Sequence, residues 1–406
     1  MAKLKQKDSA YLCRDKFATR AETLEKLINL WHFEKKIESI ELKLSSGRIC
    51  SEDIFSKNTL PVCRAAGADG VAVRYVDFEN GIPDFSNWRE GQDYVAADMG
   101  DDFDDKFDTV LWIEDFQFSN QGKIIAITPS DEVFKGHLVK QKGAMLQKDE
   151  LVLKKGDIIN PFRLGLLASA GIKNINVYKK PVIAYIPSGN ELVMAGSEVK
   201  RGENIESNSL MVEYMLQQWG AETEIFPIVK DEKSELEKVI DKALKIADII
   251  LLNGGSSMGT EDYSSSLLAE KSEYLQHGVR SIPGIPVAVA VINGKPVVNL
   301  PGPPFAAWCT LDWCVKGLIS NYYGREFMPR PKINARLKNS IQKPLVHEMY
   351  VRLKLEKIGE EYNALPISDK MRYSEIAISW NALFIAPIGK EKWEIDEIIE
   401  VELLDV

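Results

Sequence analysis

The sequence predicts a multidomain fold of α/β plus β type: a central doubly wound α/β domain, β-rich N-terminal domains and a small C-terminal β domain. Three observations lead there. Strand-like and helix-like runs alternate from residue 181 to about 328, as in a mainly parallel sheet with a helical cover. Short apolar runs separated by Gly, Pro, Asn and Asp fill 46–141, the pattern of small β units. Beyond PRP at 329–331 the chain returns to short strands ending in IIEVEL at 398–403.

In chain order, Ala21, Leu24, Leu27, Ile28 and Trp31 recur at helical spacing, so the first 35 residues read as helix. Residues 37–44 read as extended, with Ile40, Leu42 and Leu44 alternating. Residues 71–76 and 124–127 are strand-like. A short helix over 161–170 is closed by Gly171, where a C-terminal cap belongs. Residues 182–186 form a buried-type strand, 210–219 a helix ending at Gly220, and 223–228 a second strand. The run SELE at 234–237 suits a capping box for a helix whose apolar face is Leu236, Val239, Ile240, Ala243, Leu244 and Ala247. Residues 249–252 are a third strand. Asn293 and Gly294 join 286–292 to 295–300 as a type I′ hairpin. Pro304 opens a helix to about Ser320. The expected domains are 1–45 with 142–180, an insert at 46–141, the α/β domain at 181–328 and a β domain at 329–406.

The 406 residues carry 51 Lys plus Arg against 60 Asp plus Glu, a net charge of −9. That balance argues against nucleic acid, whose binding requires phosphates to be neutralised by cations. No apolar run reaches the roughly 18 residues of a membrane span. The basic start of the chain is followed by Asp8, Arg14 and Asp15 where a signal peptide needs an apolar core, so a cytoplasmic protein is expected. Ten carboxylates against Lys106 alone lie between Glu90 and Asp115. They read as a solvated acidic loop, a candidate docking patch for a basic protein partner. Cys13, Cys50, Cys63, Cys309 and Cys314 are odd in number and scattered, and four histidines share no ligand spacing, so neither disulfide framework nor zinc site is expected.

Open α/β sheets bind ligands beyond the carboxyl ends of their strands. Three strands here end in turn-rich sequence: PSGNE at 187–191, NGGSSMGTED at 253–262 and LPGPP at 300–304. Small residues let backbone N–H groups approach a phosphate. Glu191 and Asp262 are candidate ligands for a divalent cation held against that phosphate. Asp231 precedes a helix, where a capping role and a site role are both open. Asp69 lies in an Asp-Gly turn, which turn chemistry alone would explain.

Taken in order, these motifs make the chain resemble the molybdopterin molybdenumtransferase family, that is MoeA and the gephyrin E-domain, over nearly its whole length. GRICSED at 47–53 is similar to the family's GR-x-x-AED, Asp69-Gly70 to DGYAV, SGNEL at 188–192 to TGDEL, GGSSMG at 254–259 to GGVSxG, and LPGPP to LPGNP. The resemblance implies an elongated homodimer whose α/β domain holds the pterin, with the β domain around Asp69 approaching from the partner subunit. It implies magnesium-dependent insertion of molybdate into adenylated molybdopterin, releasing AMP. Asp69, Glu191, Asp231 and Asp262 match acidic site positions. Ser188, Gly189, Gly254, Gly255, Ser256, Ser257, Gly259, Pro301 and Gly302 match ligand-cradling turns, and Arg352 a family arginine.

The chain departs from the family inside the site. Gly143 is followed by Ala144 and Met145 where the family has two carboxylates, and Asn190 replaces an aspartate. The family's KPGKP reads IPGIP at 282–286, so two lysines become Ile282 and Ile285. A charged hydrogen bond contributes about 1.5–3 kcal/mol, so losing two weakens anion binding by about two to four orders of magnitude unless Arg280 or Lys295 compensates. The alternative function is therefore a dimeric scaffold or pterin-binding protein acting through protein–protein contacts.

Overall fold

The computed structural model describes residues 17–254 and 263–404. They form two compact units, one of residues 37–178, the other joining the chain before residue 37 to the chain after residue 178.

The larger unit is built on a six-stranded sheet: β1 (Val182–Pro187), β2 (Glu222–Ile225), β3 (Ile249–Asn253), β4 (Tyr274–His277), β5 (Ala288–Ile292) and β6 (Lys295–Leu300). Their order is β2-β1-β3-β6-β5-β4; the first four are parallel, β5 runs antiparallel to β6, and β4 runs antiparallel to β5. The chain leaves β1 toward β2 and then crosses to β3 on the other side, so the order reverses between β1 and β3. Ala184, Ile186, Ile250 and Leu252 face one side, where Leu236, Ile240, Ala243 and Leu244 of the helix Lys233–Ile246 and Leu267 and Leu268 of the helix Tyr263–Lys271 cover them. The helices Asn208–Gln218, Pro304–Thr310 and Arg20–Leu30 pack against the opposite face. The doubly wound expectation is met.

Local details follow from the residue types. Asn293 and Gly294 have φ of +51° and +68°, the pair of positive values that a type I′ turn demands. Pro304 occupies the first turn of its helix, which continues through one wider turn at Leu311–Val315 to Tyr323, three residues beyond expectation. The capping box expected at Ser234 does not form: the helix already begins at Lys233, with Glu232 at its cap making no side-chain bond. A capping box does form at Thr19 and Glu22, starting the first helix at Arg20. The extended reading of 37–44 holds only for Ile37–Glu41, after which Leu42–Leu44 turn. The half-buried edge strand β4 had no clear period and was not expected.

After Arg330 the chain closes a five-stranded barrel in the order Glu348–Ile358, Glu361–Pro366, Lys332–Leu337, Ile398–Leu403 and Ala382–Ala386, the last pairing back to the first. Leu337, Leu353, Ala364, Phe384, Trp393 and Val401 fill it. Ser281–Ile282 adds a parallel strand to Glu348 and Met349. Arg330 fastens the barrel to the preceding helix through Asp312 (2.5 and 3.2 Å) and Glu402 (3.1 Å). Burial works against the charge on Arg330, but the hydrogen bonds and charges of Asp312 and Glu402 together outweigh it and raise the pKa.

Among the described residues the smaller unit has three core clusters, the third being Ala66, Ala72, Ala97, Phe103, Phe107 and Val110. Strands Ile37–Glu41 and Asn174–Tyr178 pair antiparallel beside a core of Cys50, Ile54, Leu153, Ile159, Leu167 and Val177. The second core lies on a three-stranded antiparallel sheet, Tyr94–Ala97, Gly70–Val73 and Thr109–Trp112. The pair Ala65–Ala66 and Val139–Lys140 is its entry and exit. Residues 46–60 accordingly pack with 146–178, for example through the bridge between Leu60 and Leu146. The acidic stretch is not one loop. It contains two strands of the three-stranded sheet, and its carboxylates organise the turns: Asp108 accepts the Tyr75 N–H (2.7 Å), while Asp93 and Asp105 pair with Arg74 (3.3 Å) and Arg64 (3.2 Å).

Arg330→Ala leaves the Asp312 carboxylate buried without its guanidinium, so urea denaturation should show a loss of roughly 2–4 kcal/mol, partly recovered by adding Asp312→Asn.

Candidate functional site

The carboxyl ends of β1 and β3, where the strand order reverses, are joined by a hydrogen bond from the Ser188 N–H to the Asn253 carbonyl (2.9 Å). Glycine is required at this junction. Gly254 has a φ of +138°, and a Cβ there would lie 2.1 Å from the Ser188 carbonyl oxygen. At Gly189 a Cβ would meet a Glu191 carboxylate oxygen at 2.8 Å. The glycines thus serve close packing of two turns and of the Glu191 carboxylate. The Ser188 and Gly189 N–H groups donate to Asn253 and to Val229 (3.1 Å), so the expected phosphate cradle does not include these two donors.

Below the junction lies a polar floor. Asn253, 5% exposed, accepts at Oδ1 from the Tyr185 hydroxyl (2.7 Å) and from Asn208 Nδ2 (2.8 Å). Its Nδ2 donates to the Leu300 (3.3 Å) and Pro301 (2.9 Å) carbonyls. Asn208 Nδ2 also donates to the Gly302 carbonyl (2.9 Å). One amide therefore ties together the ends of β1, β3 and β6. Burial, reinforced by the charge of Glu206 at 3.0 Å, pushes the Tyr185 phenol far up, so it stays a neutral donor.

The Ser188 hydroxyl donates to the Asp231 carboxylate, and the Asp231 N–H donates to Asn190 Oδ1 (3.3 Å). Ser188, Glu191, Asp231, Gly254, Pro301, Gly302 and Arg352 line one cleft of about 820 Å³. A smaller cavity of about 370 Å³ shares Ser188, Glu191 and Gly254 and adds Glu206 and Asn208. A second, also of about 370 Å³, is bounded by Ile282, Pro283, Ser368 and Arg352. The Arg352 guanidinium stacks on Phe305, 4.3 Å from the ring centroid, and donates to Asp369.

Seven of the fourteen residues singled out from the sequence line this cleft. Gly189 lies in its turn, whereas Gly255, Ser256, Ser257, Gly259 and Asp262 lie outside the described residues. Asp69 belongs to the other unit, where it accepts the Met99 N–H (2.7 Å). Lys295 does not replace the missing lysines: its ammonium donates to the Leu244 and Ala247 carbonyls, both at 2.7 Å, at a helix end. Among the described residues, Arg352 is the one cation lining these three cavities, and no cluster of three His, Cys, Asp or Glu forms a metal site. Sequence reasoning missed Tyr185, Glu206, Asn208, Asn253 and Asp369. For Asn253 a signal existed, a lone amide closing the apolar strand β3.

A doubly wound domain with a polar cleft at its switch point, followed by a barrel and accompanied by a β-rich unit, defines a modular cleft-bearing α/β protein. Residues 17–171 match the family described as "MoeA N-terminal region (domain I and II)", and residues 186–321 the one described as "Probable molybdopterin binding domain". A Methanocaldococcus jannaschii protein assigned to molybdopterin biosynthesis is 29% identical over 400 residues, covering 94% of this chain and 95% of that one. The molybdopterin molybdenumtransferase of Haemophilus influenzae is 26% identical over 77% of this chain and 80% of its own. A crystal structure of a molybdopterin biosynthesis MoeA protein from Pyrococcus horikoshii superimposes with a TM-score of 0.75 at 28% identity, covering 96% of this chain and 99% of that one. The chain belongs to the MoeA family.

Replacing Asn253 by Ala removes partners from the Tyr185 hydroxyl, Asn208 and Pro301 together. A loss of about 2–4 kcal/mol is expected in chemical denaturation, against about 1 kcal/mol for Tyr185→Phe.

Proposed function

We propose that this chain inserts molybdate into adenylated molybdopterin and releases AMP, with magnesium in support. The observation that carries this reading is the convergence of Ser188, Glu191, Asp231 and Arg352 on one cleft at the switch point of the sheet. The cleft is large enough for a fused heterocycle with a phosphate-linked extension. Asp231 accepts the Ser188 proton and so turns the hydroxyl oxygen's lone pairs outward as an acceptor. Arg352 is the fixed positive charge for an oxyanion or phosphoryl group. The donor set suits magnesium, which takes one or two carboxylates together with substrate oxygens and water. Glu191 would hold it, together with Asp262, which lies outside the described residues. When bound, the ion neutralises phosphate charge that two more carboxylates on the cleft, Asp231 and Asp369, would otherwise repel. A homodimer, with Asp69 contributed by the second copy, belongs to the same reading.

One observation favours a second reading, a pterin-binding scaffold without turnover. Ile282 lies against the Arg352 cavity in place of a lysine, and Lys295 is engaged elsewhere.

Isothermal titration with adenylated molybdopterin and magnesium, followed by molybdate and assay of AMP, separates the two. Transfer predicts AMP release that Asp231→Asn lowers by about tenfold or more, a loss of roughly 1.4 kcal/mol of transition-state stabilisation. Restoring lysine at 282 and 285 should then change the rate little. Binding without AMP release supports the scaffold, and light scattering tests the dimer.

A further inference from the structure

Arg352 lies within the barrel strand Glu348–Ile358, and its side chain is 7% exposed. Its face is covered by Phe305, which leaves the guanidinium edge as the donor surface. That edge donates to Asp369, whose side chain is 90% exposed. Asp369 stands on the turn between the strand Glu361–Pro366 and the helix Tyr373–Ser379. The turn is anchored where the Ile367 N–H donates to the Arg352 carbonyl (2.9 Å), and by Lys370 N–H to Ser368 Oγ (3.2 Å). Both partners line the large cleft and the adjoining cavity at Ile282.

The cation of these cavities therefore already holds an anion, and that anion is almost wholly in water. A well-hydrated carboxylate gains little from such a pair and is readily exchanged. A tetrahedral dianion carries more charge and offers two oxygens to the guanidinium fork. Because Asp369 is tethered beside Arg352, it competes at a high effective concentration against any free monoanion.

We propose that Asp369 is an intramolecular competitor for the anion site of Arg352: its carboxylate occupies the guanidinium until a doubly charged oxyanion displaces it. This rests on the reading of Arg352 as the anion-binding residue of the cleft. Two sources share that chemistry, a free tetrahedral oxyanion and the phosphoryl group of a nucleotide-linked substrate.

The test is isothermal titration of the full chain with sodium molybdate and, separately, with AMP. Asp369→Asn should tighten at least one of them by about fivefold or more, and the gain should vanish when Arg352→Lys is added. Tightening for molybdate alone identifies the free oxyanion as the displacing ligand, and for AMP alone the phosphoryl group. Thermal melts of each variant show whether it folds, and the exposed position of Asp369 keeps its own variant informative. Unchanged or weaker binding of both anions by Asp369→Asn, or no binding at all, overturns the proposal. Tightening without AMP release in the transfer assay leaves the competitor standing and removes the transfer reading. AMP release with unchanged affinity does the reverse.

Discussion

The Asn253 side chain holds the ends of three strands at once, and the cleft takes its shape from that amide. A buried amide must satisfy two donors and an acceptor or destabilise the fold. Here the acceptor is shared by Tyr185 and Asn208, while the donors reach the two carbonyls before Gly302. The turns that carry Ser188, Gly254 and Gly302 are thereby set relative to one another by bonds that water cannot easily replace. The glycines complete the arrangement, because any side chain at Gly254 would strike the Ser188 carbonyl.

Charge distinguishes this cleft from what the family resemblance implies. Arg352 stands as the lining cation among the described residues, against the carboxylates of Glu191, Asp231 and Asp369. In a partly desolvated cleft such an excess of negative charge disfavours an anionic ligand unless a cation accompanies it. The two isoleucines sharpen this, since Ile282 gives its backbone to the barrel and presents an apolar side chain to the cavity at Arg352. A divalent ion and a displaceable Asp369 are two physical ways for the same cleft to accept a phosphorylated or oxyanionic substrate.

Sequence reasoning succeeds here where the signal is local. The Asn293-Gly294 turn needs two positive φ angles, Pro304 suits a first helical turn, and the apolar face of Leu236, Ile240, Ala243 and Leu244 repeats at helical period. Each was legible because the physics lies within a few residues. The capping box at Ser234 fails for a complementary reason: the motif is present, but the helix starts two residues earlier than it requires, with Glu232 at the cap. The acidic stretch misled because composition records charge and not pairing. Its carboxylates cap turns between strands and meet Arg74 and Arg64 from distant parts of the chain.

The alternation of strands and helices and the three turn-rich strand ends were therefore legible in the chain alone, and with those ends Ser188, Glu191, Gly254, Pro301 and Gly302 of the cleft lining. Those properties depend on residue type and spacing, which the chain carries directly. Arg352 entered the sequence reading through resemblance alone, and tertiary packing places it, more than 160 residues beyond Ser188, on the same cleft. Packing alone makes Lys295 cap a helix end, Asp369 occupy Arg352, and Asn253 bind the strand ends together. Each of these is a choice of hydrogen-bond partner across long chain separations, and such a choice is made by packing geometry rather than by local pattern.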